Sequence, residues 1–407
     1  MGCGTGPNVA TVPPARPIVA GAVAPARSLR RQLVVLTGAK SVANTALRWV
    51  GPFLPTLERA FGTTTGTLTG IMGVAELGGL TTGATGPFLD RGHERTVFCL
   101  GLVAVAASSA IALGGSVPVF AVSYVLLVLG VGNLTVAGHA WIAHRVPFAT
   151  RSRAIGSFET SWALALLIGA PILALLIHWF DWRGPYVALA CGALVAAGLA
   201  WMFVSPGSSG SPAGGAVERA EREPLPRSAW PPMLASAAIS ATGMSVFIVS
   251  GAWLDDAHGV STGGLGLVAA GFGALELMSS SSVALFADRF GARRSVAAGL
   301  LVVGCGLALI AGSGSSQALA IAGLAVFLTG FEYGFVSSLT LVSEAAPAGR
   351  GRAIGLSSML GTLARSAAVI TAGQLYDAFG MSGPVTWSAV TGSLALALTL
   401  FSRLPHE

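Results

Sequence analysis

Lys40, Arg48, Glu76, His139, Glu159, Glu276, Glu332 and Arg365 all stand inside long apolar runs, where an ionisable group needs a reason to exist. A charge at the centre of a bilayer costs at least ~2.5–3.5 kcal/mol on insertion scales, so each needs a partner, a watery cavity or a task. Lys40, Asn44 and Arg48 recur at i, i+4 and i+8 and therefore share one helix face. Lys40 lies near the start of its run, so it also has the option of reaching back to the interface. Glu76 sits about 18 Å from the end of its run at ~1.5 Å per residue, and Glu276, Glu332 and Arg365 come out at comparable depth. These depths allow the pairs Glu332–Arg365, Glu76–Arg365 and Arg48–Glu76. Two chemistries follow. Either the pairs are static ties between helices, or one carboxylate lacks a permanent partner and loads and releases a proton. Glu76, Glu276 and Glu332 are the candidate proton carriers, and the sequence does not rank them. His139 and Glu159 fall toward the same end of neighbouring antiparallel runs, where they make either a proton relay or a plain helix–helix hydrogen bond. Trp141, Trp162, Trp253 and Tyr333 offer an aromatic wall, although Trp253 fits an interfacial belt equally well.

Helices crossing a bilayer must position these groups. Only 10% of the 407 residues are charged and 53% are hydrophobic, against the roughly 25% charge of a soluble domain. Twelve apolar runs are long enough to cross ~30 Å of hydrocarbon: 33–54, 65–88, 96–114, 118–142, 155–177, 185–204, 231–254, 262–286, 295–312, 319–342, 353–375 and 385–401. With the N-terminus inside, eighteen Arg residues fall in inside loops and only Arg59 and Arg183 in outside ones. The positive-inside rule then places both termini in the cytoplasm. The same bias accounts for a pI near 9.7 without nucleic acid. Residues 1–32 read as a flexible cytoplasmic tail, 33–204 as a first six-helix bundle, 205–229 as a cytoplasmic linker, 230–403 as a second bundle and 404–407 as a short tail. Cys3, Cys99, Cys191 and Cys305 have no paired spacing and read as packing residues.

The two bundles echo each other. Asp90-Arg91 and Asp288-Arg289 lie 198 residues apart, Gly73–Leu77 and Gly273–Leu277 lie 200 apart, and Arg151–Gly156 and Arg350–Gly355 lie 199 apart. Three landmarks in one order at one spacing mark a duplicated unit. In membrane transporters, parallel halves place the substrate site between them.

On these residues the chain resembles the major facilitator superfamily from residue 33 to 403. The family's loop signature, Gly-x-x-x-Asp-Arg-x-Gly-Arg-Arg/Lys, has one copy at Gly86, Asp90, Arg91 and Arg95, which departs at His93 and Glu94. The second copy keeps Asp288, Arg289, Gly291, Arg293 and Arg294 but has Ala284 in place of the leading Gly. The resemblance implies an all-α membrane protein with twelve transmembrane helices in two pseudo-symmetric six-helix bundles. It implies that the signature latches the cytoplasmic side when the protein faces outward. Spans one, four, seven and ten would line the cavity, which places Lys40, Asn44, Arg48, His139, Glu332, Tyr333 and Arg365 around the transport path. Glu76, Glu159, Glu276 and Glu332 are the proton-coupling candidates. Gly169-Ala170-Pro171 stands where drug:proton antiporters of the family carry a Gly-Pro-rich signature; physically it predicts a close helix approach and a kink.

No hydrolase, zinc or phosphate-loop motif is present, so the expectation is a transporter and not an enzyme, with no cofactor and no metal. The expected partners are a small-molecule substrate, protons and the lipid bilayer, with no nucleic acid, and the protein is expected to work as a monomer in the cell membrane. Lys40 and Arg48 favour uptake of an organic anion, whereas the membrane carboxylates favour proton-coupled efflux of neutral or cationic compounds. Efflux is the leading expectation, anion uptake the alternative, and a non-transporting receptor on the same fold the least favoured.

Overall fold

The computed structural model describes residues 26–206, 225–347 and 349–402, with the side chains of 26, 27, 148 and 283–288 outside that description. Most of the expected N-terminal tail, most of the linker, the last residues and the Asp288 side chain therefore lie outside the described residues. Every element among the described residues is helical. Span 1, Ala26–Arg48, begins seven residues inside the segment expected to be tail. Ten further helices are long and apolar enough to cross a membrane. They are span 3 (Glu94–Ala112), span 4 (Val117–Arg145), span 5 (Ala149–Phe180), span 6 (Arg183–Phe203), span 7 (Arg227–His258), span 8 (Thr262–Phe290), span 9 (Ala292–Ala311), span 10 (Gln317–Ala345), span 11 (Arg350–Phe379) and span 12 (Ser382–Phe401). Span 1 misses that criterion because Arg30, Arg31, Lys40 and Arg48 crowd it with charge.

Span 2 misses it because it is broken. An α-helix over Thr65–Glu76 tightens into a 3-10 helix over Leu77–Thr85 and relaxes again over Gly86–Asp90. The tightened stretch reads Leu-Gly-Gly-Leu-Thr-Thr-Gly-Ala-Thr. Its threonines each turn the side chain back onto a carbonyl three residues earlier: Thr81 to Gly78, Thr82 to Gly79 and Thr85 to Thr82, at 2.7–2.8 Å. Such bonds suit the i+3 geometry of the tighter helix. Span 5 is also irregular. A π turn over Ala165–Gly169 precedes Pro171, which has no N–H to continue the ladder. There Gly169 lets span 1 approach: a Cβ would lie 2.5 Å from Thr45 Oγ1. The predicted kink and close approach are both present.

The duplication is written into the backbone. Every positive-φ residue among the described residues has a counterpart in the other half: Gly62 with Gly259, Gly92 with Gly291, Gly115 with Gly314 and Asp181 with Gly380. The first pair is offset by 197 residues and the other three by 199. The close helix approaches repeat as well. A Cβ on Gly101 would lie 2.7 Å from the Gly130 carbonyl between spans 3 and 4, and one on Gly299 would lie 2.9 Å from the Gly330 carbonyl between spans 9 and 10.

The halves meet through span 2 against span 11 and span 5 against span 8. Gly73 and Gly273 are the equivalent contact points. A Cβ on Gly73 would lie 2.7 Å from the Ser366 carbonyl, and one on Gly273 would lie 2.7 Å from the Ala163 carbonyl. Closer to the side away from the termini, hereafter the far side, Asp377 accepts from the Gly66 N–H at 3.1 Å and Arg59 pairs with Asp255 at 2.5 Å. No hydrogen bond or ion pair between described residues joins the halves on the terminal side of Glu76 and Glu276. Among the described residues, the polar ties between the halves lie near mid-membrane and on the far side.

The glycine contacts predict opposite responses to one added methyl. Gly299→Ala should destabilise by about 1–3 kcal/mol, because the new atom meets backbone that cannot yield. Gly304→Ala, with nothing within 4 Å of the new atom, should stabilise by up to ~1 kcal/mol. Thermal unfolding of the purified variants in detergent checks both.

Candidate functional site

Two ion pairs bridge the halves near mid-membrane. Arg48 of span 1 makes a bidentate pair with Glu276 of span 8, and both are almost fully buried. One Arg48 nitrogen also donates to the Trp162 carbonyl at 2.8 Å, and the guanidinium lies between the rings of Trp162 and Phe247. A planar guanidinium suits both duties because it can fork onto a carboxylate while stacking on aromatic faces. Glu76 of span 2 accepts from Arg365 Nε of span 11 at 2.6 Å. The predicted Glu76–Arg365 pair therefore forms. Arg48–Glu76 and Glu332–Arg365 do not, because Arg48 has crossed to the opposite bundle.

The Lys40, Asn44 and Arg48 stripe keeps to one face as expected, but that face packs on span 5. Lys40 is fully buried and donates to Glu159 Oε1 at 2.7 Å, with its ammonium 4.2 Å from the centre of the Phe158 ring. It does not reach back to the interface. Asn44, also buried, donates to the Ser161 hydroxyl at 3.1 Å. Lys40 and Asn44 thus do not line an open path, which corrects the expectation drawn from the family resemblance. The physical reason is that span 5 offers polar partners at both levels, and a paired amine inside a bundle is cheaper than an unpaired one. His139 and Glu159 do meet: the His139 Nε2 lies 2.7 Å from the same Glu159 oxygen that Lys40 holds. Unlike Lys40, these two keep more than a third of their side-chain surface exposed. The Lys40 contribution to this triad had no signal beyond the i+4 spacing of the stripe.

Glu332 differs from the other three membrane carboxylates. It makes no hydrogen bond or ion pair with any described residue and is half-buried. The charges within its electrostatic reach are Glu276 and Arg48. Tyr333, one residue on, points elsewhere and lines a cavity of about 400 Å³ among spans 8, 9 and 10. The aromatic wall is not assembled. Trp141 is buried beneath Arg145 and Trp253 is buried against His258, which leaves Trp162 beside Arg48.

Both signature loops sit on the terminal side. Gly86 opens the last helical turn of span 2, and Asp90 and Arg91 are exposed with no hydrogen bond or ion pair to any described residue. Arg95 instead donates to the Trp201 carbonyl at 3.3 Å and stacks on its ring. Arg293 donates to the Leu400 carbonyl in the matching place of the second half. Arg289 and Arg294 are exposed, and Gly291 takes φ +79 to start span 9. The departure at Glu94 has its own compensation. Glu94 is buried and receives His144 Nδ1 at 2.5 Å, with Arg145 at 3.6 Å, so bases from span 4 meet a carboxylate where the signature has a base. Sequence reasoning missed this cluster, although His144-Arg145 at the end of a span was its visible sign.

Arg48→Met should destabilise strongly, by about 3–5 kcal/mol, because it leaves Glu276 charged and unpaired in a buried interface. Adding Glu276→Gln should recover more than half of that loss. Unfolding midpoints of the two single variants and the double variant test the pair directly.

The sequence matches the family model described as Major Facilitator Superfamily twice, over residues 36–237 and 233–407. No curated protein matches significantly. Among solved structures, the fold is similar to a bacterial homologue of the human lysosomal transporter Spinster in an inward-facing, unoccupied conformation. That match has a TM-score of 0.75 at 15% identity, covering 93% of this chain and 95% of the other. A D-xylose–proton symporter gives a TM-score of 0.72 at 17% identity over 92% and 97% of the two chains. A POT family transporter in complex with 5-aminolevulinic acid gives 0.72 at 15% identity over 91% and 95%. Two successive family matches that together run from residue 36 to the last residue, on a twelve-span fold with a repeated backbone, establish that this chain belongs to the Major Facilitator Superfamily.

Proposed function

We propose that this member of the superfamily is a proton-coupled exporter of a small neutral or cationic organic molecule. It resides in the cell membrane with both termini in the cytoplasm, works as a monomer and alternates access by rocking its halves about the mid-membrane charges. One observation carries the reading. The described intramembrane set holds four carboxylates, Glu76, Glu159, Glu276 and Glu332, against three permanent cations, Lys40, Arg48 and Arg365, and Glu332 is the carboxylate left over. A proton on Glu332 balances the set, and so does a bound organic cation. Competition between the two for one carboxylate is the simplest form of antiport. Rocking must also strain the Arg48–Glu276 and Glu76–Arg365 pairs that cross between the halves, so the charge state beside Arg48 bears on whether the halves separate.

The anion-uptake reading loses much of its basis, because Lys40 and Arg48 are both committed to carboxylates. It keeps one supporting observation: the Arg365 side chain is 40% exposed and uses only Nε on Glu76, which leaves donors for an anion.

The test uses purified protein in liposomes with an internal pH dye, an imposed proton gradient and a panel of cationic, neutral and anionic compounds. Proton flux opposite to a cationic or neutral compound is the expected result, lost in Glu332→Gln together with tight binding of a cationic compound, and retained in Glu76→Gln. Co-directional flux of an anion that depends on Arg365 would replace export with the alternative. Gradient-driven export that survives Glu332→Gln unchanged would remove Glu332 as the proton carrier.

A further inference from the structure

The cavity beneath Tyr333 is separate from the mid-membrane charges and has the chemistry of a binding site. It lies on the terminal side of the second bundle, holds about 400 Å³ and has walls that are almost wholly apolar, with Phe290, Ala298 and Val302 among them. Those three residues are exposed on the surface of spans 8 and 9, so the cavity is a groove open to the hydrocarbon and not a sealed core void. Its terminal end carries Arg294, whose guanidinium is exposed and makes no hydrogen bond or ion pair with any described residue. Next to it Ser295 is only 1% exposed, lines the same groove, and has a hydroxyl without any partner. A buried hydroxyl without a partner costs about 1–3 kcal/mol, which a bound acceptor would relieve. The Tyr333 phenol also has no hydrogen-bond partner among the described residues.

The fold does not demand this chemistry. Arg95 and Arg293 are each the second residue of their helices, and each donates to a carbonyl at the end of the last span of its bundle. On that register Arg294 and Ser295 correspond to Thr96 and Val97 in the first half. The duplicated unit therefore builds its span 3 and 9 starts with or without a free guanidinium and a hydroxyl. The signature's basic run accounts for a base at Arg294, whereas the unpartnered Ser295 hydroxyl beside it has no counterpart in the first half.

A free guanidinium at headgroup level, an unpartnered hydroxyl beside it and an apolar groove running toward the bilayer centre suit one amphiphile. We propose that this groove holds an anionic phospholipid of the terminal-side leaflet. Its phosphate lies on Arg294 and Ser295, and an acyl chain runs along Phe290, Ala298 and Val302. Arg binds phosphate through a planar fork of donors, and basic pockets between membrane helices are the usual seats of anionic headgroups. Arg289, exposed and without a hydrogen bond or ion pair to any described residue, adds a second positive charge at the groove mouth.

The test titrates the purified protein in detergent with short-chain phosphatidylglycerol, phosphatidylcholine and inorganic phosphate, with bound lipid counted by native mass spectrometry. Saturable binding of phosphatidylglycerol is expected, weakened roughly fivefold or more in Arg294→Gln, the effect of about one charge at the headgroup. Ala298→Trp, which fills the groove without touching a charge, should weaken it as well. Should Arg294→Gln fail to fold, Ala298→Trp decides alone. Equal phosphatidylglycerol binding in wild type and Ala298→Trp would overturn the proposal, as would phosphatidylcholine binding as tightly as phosphatidylglycerol. Inorganic phosphate that displaces the lipid completely would mark a free-anion site and overturn it too.

Discussion

Charge neutrality inside hydrocarbon is the constraint on which the rest of this structure depends. A buried cation costs several kcal/mol unless a carboxylate meets it, and Lys40, Arg48 and Arg365 each meet one. Where each meets its partner decides its mechanical meaning. Lys40 finds Glu159 inside the first bundle and ties span 1 to span 5, so it stiffens a body that moves as a unit. Arg48 and Arg365 find their carboxylates across the interface, so they hold the two bodies against one another. A rocking motion leaves the first pair intact and strains the other two. Glu332 is the carboxylate this neutralisation leaves unserved among the described residues, and on the proposed reading it is the point where an outside charge enters the balance.

Duplication explains the geometry, and departures from it decide how the membrane charges pair. Glu76 and Glu276 occupy equivalent places beside equivalent glycines, Gly73 and Gly273, at equivalent seams between the halves. Perfect symmetry would give each carboxylate a partner from the span it packs against. Glu76 has one, Arg365 on span 11. The position on span 5 that answers to Arg365 is Leu166, so Glu276 instead takes Arg48 from span 1. That places the second ion pair within electrostatic reach of Glu332. The asymmetric pairing, more than either carboxylate alone, creates an unequal site between equal halves.

Much of this was legible in the sequence. Twelve runs, two halves and the repeated landmarks followed from hydropathy and spacing, because a helix that crosses lipid must be apolar over its whole length. The depth of Glu76, Glu276, Glu332 and Arg365 followed from rise per residue, and the His139–Glu159 meeting from antiparallel neighbours. Partner choice did not follow. Arg48 has three carboxylates at its depth, and only the rotation of each span about its axis selects Glu276. The same ignorance of rotation sent Lys40 and Asn44 to the cavity when they face span 5, and Tyr333 to the cavity when it faces a lipid-side groove. Periodicity fixes which residues share a face, whereas the neighbour of that face is set by packing across the whole bundle. The 3-10 segment of span 2 was equally hidden, since its cause is a run of threonine back-bonds on glycine-rich backbone and not any loss of hydrophobicity.

The measurement that bears most directly on Glu332 is the number of protons released when a transported compound binds to purified protein in weakly buffered detergent solution. No membrane or gradient enters, so only the linkage between compound and proton is read. Wild type should release a proton on binding and Glu332→Gln should release none, while Glu76→Gln and Glu276→Gln still release it. Undiminished release from Glu332→Gln would contradict the account, because the exchanged proton would then reside on another group.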